Sequence, residues 1–222
     1  MRFVFWSRLI LLPALIIPVW ASAAGVAAPA LGRWVHKLEV SRADGATDLG
    51  SAVSIAPGRA ITNCHVVRAA SHILLFQDGR RLPARQAAGD GYRDLCILEV
   101  PGLRGDAPAI AVTESYGVGT PVLAVGYSLG RFAASRGRIK GLFACDCGGS
   151  RVIQTSADFE PGASGGGLFD AAGRLLGILT FKSVSGGDFH FAVPVGWLDG
   201  AAGGQSSDAQ PFWAGDPGTG GH

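Results

Sequence analysis

Ser164 stands in the run Gly162-Ala163-Ser164-Gly165-Gly166-Gly167, just ahead of an apolar segment. A hydroxyl becomes a nucleophile only when a base takes its proton and nearby backbone N–H groups receive the charge that develops on the attacked carbonyl. Taken alone, the stretch reads as a hairpin turn or flexible loop, so the residues upstream decide. Such a serine needs a histidine, and the histidine needs a third group that holds its tautomer and stabilises the imidazolium. Of the five histidines, His222 lies in the C-terminal tail, while His36 and His72 sit inside strand patterns as ordinary surface or satisfied core residues. His65 closes a strand in Ala60-Ile61-Thr62-Asn63-Cys64-His65-Val66-Val67, where small neighbours allow close packing. Asp94 opens the apolar strand of Tyr92-Arg93-Asp94-Leu95-Cys96-Ile97-Leu98, which carries its carboxylate to the edge of a core where it needs a partner. The imidazole of His65 would satisfy it. An ion pair with Arg93 or a turn cap would do so too.

The elements that must position these groups are strands. With 34 glycines, 12 prolines, short β-branched runs and no long helical periodicity, the chain is expected to be all-β with many turns. Segments 34–40, 50–56, 59–63, 72–76, 80–86 and 94–100 read as strands, with hairpin turns at Pro57-Gly58 and Asp78-Gly79. Six strands at this spacing close one small barrel. After the connection 101–108, rich in Pro, Gly and charge, six more follow at 121–125, 137–143, 151–156, 167–170, 174–181 and 189–193. The expected fold is two six-stranded antiparallel β-barrels, about 33–100 and about 110–199, within a domain spanning 33–199. A signal at 1–23 and a flexible lead-in at 24–32 precede it, and a disordered tail of Gly, Ser, Asp and Pro at 200–222 follows, interrupted by Phe212-Trp213.

Arg2 and Arg8 precede the apolar run 9–20, and Ala21-Ser22-Ala23 supplies a small-residue cleavage pattern. The run holds Pro13 and Pro18 and is shorter than the roughly 20 residues of a membrane helix. Cleavage near Ala23 and an exported, periplasmic or secreted bacterial protein are therefore expected, with no stable membrane anchor once the signal is removed; an uncleaved anchor is the alternative. The formal charge of +2 loses Arg2 and Arg8 with the signal. A near-neutral chain gives no reason to expect a nucleic-acid or anionic-membrane partner. Cys64, Cys96, Cys145 and Cys147 in an exported chain favour disulfides. Cys145-Asp146-Cys147 lacks the spacing of a zinc site and no second pair stands nearby, so neither a metal nor an organic cofactor is expected.

Thr62-Asn63-Cys64-His65-Val66-Val67, Arg93-Asp94-Leu95-Cys96-Ile97-Leu98 and Pro161-Gly162-Ala163-Ser164-Gly165-Gly166 resemble, in order, the three catalytic blocks of trypsin-like serine proteases. The likeness is greatest to the bacterial periplasmic Deg-type branch, whose short members suit gaps of 29 residues from His65 to Asp94 and 70 from Asp94 to Ser164. Residues 122–130, 176–180 and 191–194 look like further strands of that fold, so the resemblance covers roughly 33–198. It implies a chymotrypsin-like pair of barrels with the site in the cleft between them. It also implies Ser164 as nucleophile, His65 as general base, Asp94 as orienting acid, and the N–H groups of Gly162 and Ser164 as the oxyanion hole. Thr180 would donate to Asp94, and the backbone of Thr180, Phe181 and Lys182 would pair with an extended peptide or protein substrate as an added strand. Asp158 resembles the acid with which trypsins select Arg or Lys, and His190 would border the same pocket. If the imidazole and carboxylate meet, Cys64 and Cys96 come close enough to bridge, leaving Cys145 and Cys147 to pair with each other or to stay free.

Two departures stand out. Ala163 replaces the aspartate through which digestive trypsins respond to activation, so that switch is expected to be absent. The peptide-binding domain usual after a Deg-type protease is not expected in the short tail. Two other readings compete. Gly126-Tyr127-Ser128-Leu129-Gly130 is a G-x-S-x-G, the nucleophile elbow of an α/β-hydrolase esterase, and would need a helix directly after Ser128. An inactive protease-like binding module is the other, although His65, Asp94 and Ser164 are all present.

Overall fold

The computed structural model describes residues 27–111, 115–145, 151–183, 189–198, 206, 208–214 and 219–220. The expected signal at 1–23 and Cys147 lie outside them. Strands β1 (Val35–Ser41), β2 (Thr47–Ala56), β3 (Arg59–Thr62), β4 (His72–Gln77), β5 (Arg80–Asp90) and β6 (Leu95–Glu99) close one antiparallel barrel in the order β1-β2-β3-β6-β5-β4. The second barrel is built from β7 (Pro121–Ser128), β8 (Arg131–Ala144), β9 (Arg151–Thr155), β10 (Gly167–Asp170), β11 (Leu175–Ser183) and β12 (Phe189–Pro194). Its order is β10-β7-β8-β9-β12-β11, closed by pairing of β10 with β11, and a two-residue strand β13 (Thr219–Gly220) is added at β11.

Period-two alternation accounts for each barrel's interior. In β1, Leu38 and Val40 turn inward onto Leu75, Leu82 and Leu98, while Lys37 and Glu39 face outward and meet at 2.7 Å. The second barrel fills with Val122, Ala124, Ile139, Ile153, Leu176 and Leu179. A third apolar cluster lies between the two, joining Trp34, Val53, Ile61 and Leu95 to Leu123, Val125, Phe169 and Ile178. Each fully buried aliphatic or aromatic side chain there contributes about 1.5–3 kcal/mol. That cluster fixes the barrels against each other, and so fixes the loops that meet at their junction.

Three expectations are corrected. β8 starts at Arg131, well before the expected 137, because β7 runs on to Ser128 and turns directly into it. Within the expected flexible lead-in, α1 (Ala28–Leu31) is a helical turn with Leu31 fully buried in the inter-barrel cluster. Within the expected disordered tail, Phe212 and Trp213 pack against the same cluster, and Trp213 is 7% exposed. In both segments an apolar side chain finds a core that local composition does not reveal.

His36, 3% exposed, shares a 2.7 Å hydrogen bond with the Ser54 hydroxyl. Its pKa is lowered from 6.5 to about 4, chiefly because burial penalises the charged form, against opposing contributions from the Phe76 backbone and Asp78. The unfolded chain therefore binds the extra proton between these two values. The stability that neutral His36 contributes is complete above pH 6.5 and is lost as pH falls towards about 4. Urea unfolding at about pH 7.5 and about pH 4 should show a His36-dependent loss of about 3 kcal/mol, and His36→Gln should flatten the pH dependence by that amount. An equal slope in the variant would refute the assignment.

Candidate active site

β3 and β6 are antiparallel neighbours with Thr62 opposite Cys96, so the residues after β3 and those before β6 emerge at the same end of the first barrel. After β3 the chain makes the single helical turn α2 (Cys64–Val67), which carries His65. Before β6 it makes a tight turn ending at Asp94, whose φ of +58° places it in the left-handed region, outside the strand it was expected to open. Asp90 organises that turn by accepting the Arg93 N–H at 3.1 Å and pairing with its guanidinium at 3.2 Å. Arg93 is thus committed to Asp90, and Asp94 is left to His65. A Cys64–Cys96 disulfide, Cα atoms 4.9 Å apart, ties the two segments together. Cys145 is disulfide-bonded as well.

The Asp94 carboxylate is fully buried and fully used. Its Oδ1 accepts the His65 backbone N–H at 2.9 Å, and its Oδ2 accepts both His65 Nδ1–H and the Thr180 hydroxyl at 2.7 Å. The Asn63 amide donates to the Asp94 carbonyl at 2.9 Å. With only acceptors facing Nδ1, the imidazole proton sits there and Nε2 carries the lone pair.

Ser164 arrives from the second barrel. The Glu160–Ala163 turn closes with Ala163 N–H donating to Glu160 O at 3.0 Å, and Gly162 adopts φ +91°. Leu129 N–H holds the Pro161 carbonyl at 2.8 Å, so the trans peptide turns the Gly162 N–H to the opposite side. Among the described residues, no protein acceptor takes the N–H of Gly162 or of Ser164. The Ser164 hydroxyl donates to Thr180 O at 3.0 Å, and His65 Nε2 makes no hydrogen bond among the described residues. Rotation about χ1 is the motion available to swing the hydroxyl from one to the other.

Sequence reasoning missed Ser51, on β2 of the first barrel. Its N–H donates to Ser164 O at 2.8 Å, its hydroxyl donates to Gly162 O at 2.8 Å and accepts the Tyr127 N–H at 2.9 Å, and its carbonyl accepts the Thr62 hydroxyl at 2.7 Å. This fully buried residue pins the serine loop of one barrel to the wall of the other. A Gly-Ser pair in a strand carries no signal of that task.

The remaining expected residues divide. Phe181 is buried on β11, with its ring stacked 4.6 Å from Phe191, and Lys182 follows it, half-buried. Asp158 and His190 meet each other: Oδ1 lies 2.8 Å from Nε2, in ion-pair range without hydrogen-bond alignment, between an exposed carboxylate and a buried ring packed on Phe159. Ser128 is not on a nucleophile elbow. It pairs with Arg131 across the two-residue turn Leu129-Gly130, both at positive φ, and its hydroxyl accepts the Glu160 N–H at 3.3 Å. A hairpin follows where the esterase reading needs a helix. Among the described residues, no three His, Cys, Asp or Glu side chains gather as a metal site, and no helix is long and apolar enough to cross a membrane.

Comparison with known proteins agrees with the two-barrel fold. The serine endoprotease DegS of Escherichia coli is 34% identical over 153 residues, 62% of this chain and 42% of DegS. Among solved structures, the active form of the Rv3671c protease from M. tuberculosis aligns with a TM-score of 0.73 at 26% identity, over 95% of this chain and 96% of that one. An HtrA-type protease, AlgW with tripeptide, aligns with a TM-score of 0.69 at 32% identity, over 82% of this chain and 62% of that one. The chain spans less than half the length of the curated relatives it matches. Residues 50–178, which carry His65, Asp94 and Ser164, match the model of the trypsin-like peptidase domain, and with more than half of its length inside that match the chain belongs to the trypsin-like peptidase family.

Proposed function

We propose that this chain is an exported serine endopeptidase that cleaves peptide bonds through Ser164, His65 and Asp94 and an acyl-enzyme intermediate. The observation that carries the reading is the buried Asp94 carboxylate, which spends both oxygens on His65 and its spare capacity on Thr180, in the barrel junction where Ser164 lies. In the reaction the Ser164 hydroxyl leaves Thr180 O for His65 Nε2, which takes its proton as Oγ attacks the scissile carbonyl. The N–H groups of Gly162 and Ser164 receive the oxyanion; one such donor is worth on the order of 3 kcal/mol. His65 then protonates the leaving amine, and a water repeats the sequence to release the acyl group. Asp94 keeps the proton on Nδ1 throughout and stabilises the imidazolium.

The substrate is a peptide bound as an added strand along Thr180, Phe181 and Lys182. The tripeptide named with AlgW favours the same kind of ligand here. Asp158 and His190 border the specificity pocket, and selection of a basic side chain requires Asp158 to exchange His190 for the substrate. The leader 1–23 directs export, and the disulfide at the site suits an oxidising compartment. A fluorophosphonate probe followed by peptide mapping tests the reading. Label on Ser164, absent from Ser164→Ala, is the expected result, whereas label on Ser128 would restore the esterase and no label the inactive module.

A further inference from the structure

After Ile178, β11 leaves its partner β10. From Leu179 onward that edge carries the functional contacts: Leu179 O accepts Gly165 N–H, and Thr180 O accepts the Ser164 hydroxyl. It is the edge an extended peptide needs. The chain's own C-terminal segment is already there. Ser206 O accepts the Gly91 N–H at 3.2 Å, Arg68 Nη2 holds Ala209 O at 2.7 Å, and Phe212 N–H donates to Tyr92 O at 3.0 Å. These contacts lead the segment across the loops that carry His65 and Asp94. Trp213 then stands perpendicular on the His65 ring, centroids 5.4 Å apart, and stacks on Phe181 at 5.2 Å. Further on, Thr219 and Gly220 pair antiparallel with Ser183 and Lys182 as β13.

We propose that the C-terminal stretch, through its described residues Ser206, 208–214 and 219–220, is a built-in competitor of the peptide substrate, those residues lying along the cleft edge in the resting chain and leaving it when substrate binds. This rests on the peptidase reading above. Three observations converge on it. β13 uses the strand edge that an added substrate strand would use. Trp213 packs perpendicular against the general base and stacks on Phe181. The space still open beside His65, about 400 Å³ lined by Arg42, Asp48, Leu49 and His65, is walled by Gln210, Pro211 and Trp213 of the same segment. In this arrangement the Ser164 hydroxyl points to Thr180 O, disengaged from His65. The attachment is also built to release. It consists of a few hydrogen bonds and a two-residue strand around two aromatic side chains, Phe212 and Trp213, so a peptide that pairs along the whole edge and fills the aromatic subsite can displace it. When only a fraction of molecules is open, the apparent substrate affinity falls by that fraction, with the chemical step unchanged.

Two variants of the full chain test this. Trp213→Ala removes the ring on His65, and Gly220→Pro removes an N–H that the β13 pairing can use. For a segment open in about one molecule in ten, each should lower KM for a peptide substrate by up to about tenfold and leave kcat within about twofold. Unchanged KM in both, with hydrolysis that still depends on Ser164, overturns the competitor and leaves the peptidase standing. Absence of any Ser164-dependent hydrolysis removes the peptidase reading and the competitor with it. Because Trp213→Ala also disturbs packing between the barrels, hydrogen exchange in the unaltered chain gives a second measure. Attaching a peptidyl phosphonate to Ser164 should speed exchange of the amides of 208–210 and 212–214. Equal exchange before and after attachment overturns the displacement.

Discussion

Asp94→Asn should reduce kcat for peptide hydrolysis about 10⁴-fold while leaving the fold intact. The cause is a mismatch of donors. Asp94 offers only acceptors, to the His65 backbone N–H on one oxygen and to His65 Nδ1 and the Thr180 hydroxyl on the other. Asparagine must place its NH₂ on one side. Facing the fixed backbone N–H it would set donor against donor, so it turns toward Nδ1, which can shed its proton and accept. The imidazole then carries its proton on Nε2 and cannot take one from Ser164. Thr180 adapts by rotating its hydroxyl hydrogen. Stability should change little, because asparagine tolerates the φ of +58° at position 94 as readily as aspartate, and the Asn63 bond to the backbone carbonyl is untouched. Steady-state kinetics with a melting curve would decide. A loss below about tenfold would show that Asp94 does not set the tautomer, and a collapsed melting temperature would move the effect from chemistry to folding.

Gly165→Ala should be the most damaging single methyl at the site. Position 165 has φ +87°, and a Cβ there would overlap the Ser51 carbonyl oxygen and the Thr62 hydroxyl, both belonging to the wall of the other barrel. The left-handed backbone costs roughly 1–2 kcal/mol, and the forced separation of packed groups a further 1–3 kcal/mol or so. A loss of about 3 kcal/mol would lower the melting temperature by about 10 °C in a domain of this size. Activity should fall further than stability explains, because the methyl pushes Ser164 away from the first barrel, where His65 sits. A displacement of about 1 Å costs on the order of a hundredfold in rate. Gly45→Ala is the control, since position 45 has φ +88° with nothing within 4 Å of an added Cβ. It should pay only the backbone cost and keep its kcat. Equal activity in the two variants would show that the Ser51–Ser164 junction does not position the nucleophile.

The residue types and order along the chain carried a large part of this picture. Alternation and turn dipeptides marked twelve strands, because an amphipathic strand advertises its buried face with period two wherever it ends up. Small errors remained where a strand outlasts its apolar pattern, as in β8, whose outer face is mostly exposed from Arg131 onward. Cys64 and Cys96 could be paired once His65 and Asp94 were taken as neighbours, and the two segments do emerge side by side from β3 and β6.

Other features depend on which distant surfaces meet, and no local pattern encodes that. Ser128 and Ser164 each lie in a glycine-flanked turn, and only the hairpin between β7 and β8 separates their surroundings. Ser51 acquires its role because the closed barrels press β2 against the serine loop more than a hundred residues later. The Gly- and Ser-rich tail looks disordered by composition, yet Trp213 finds Phe181 and His65 across the cleft. Ser164 itself, evident as a candidate from its neighbours in the chain, rests on Thr180 O rather than on His65. Sequence names the groups available for the chemistry; the long-range packing of two barrels and a returning tail decides which of them touch in the resting molecule.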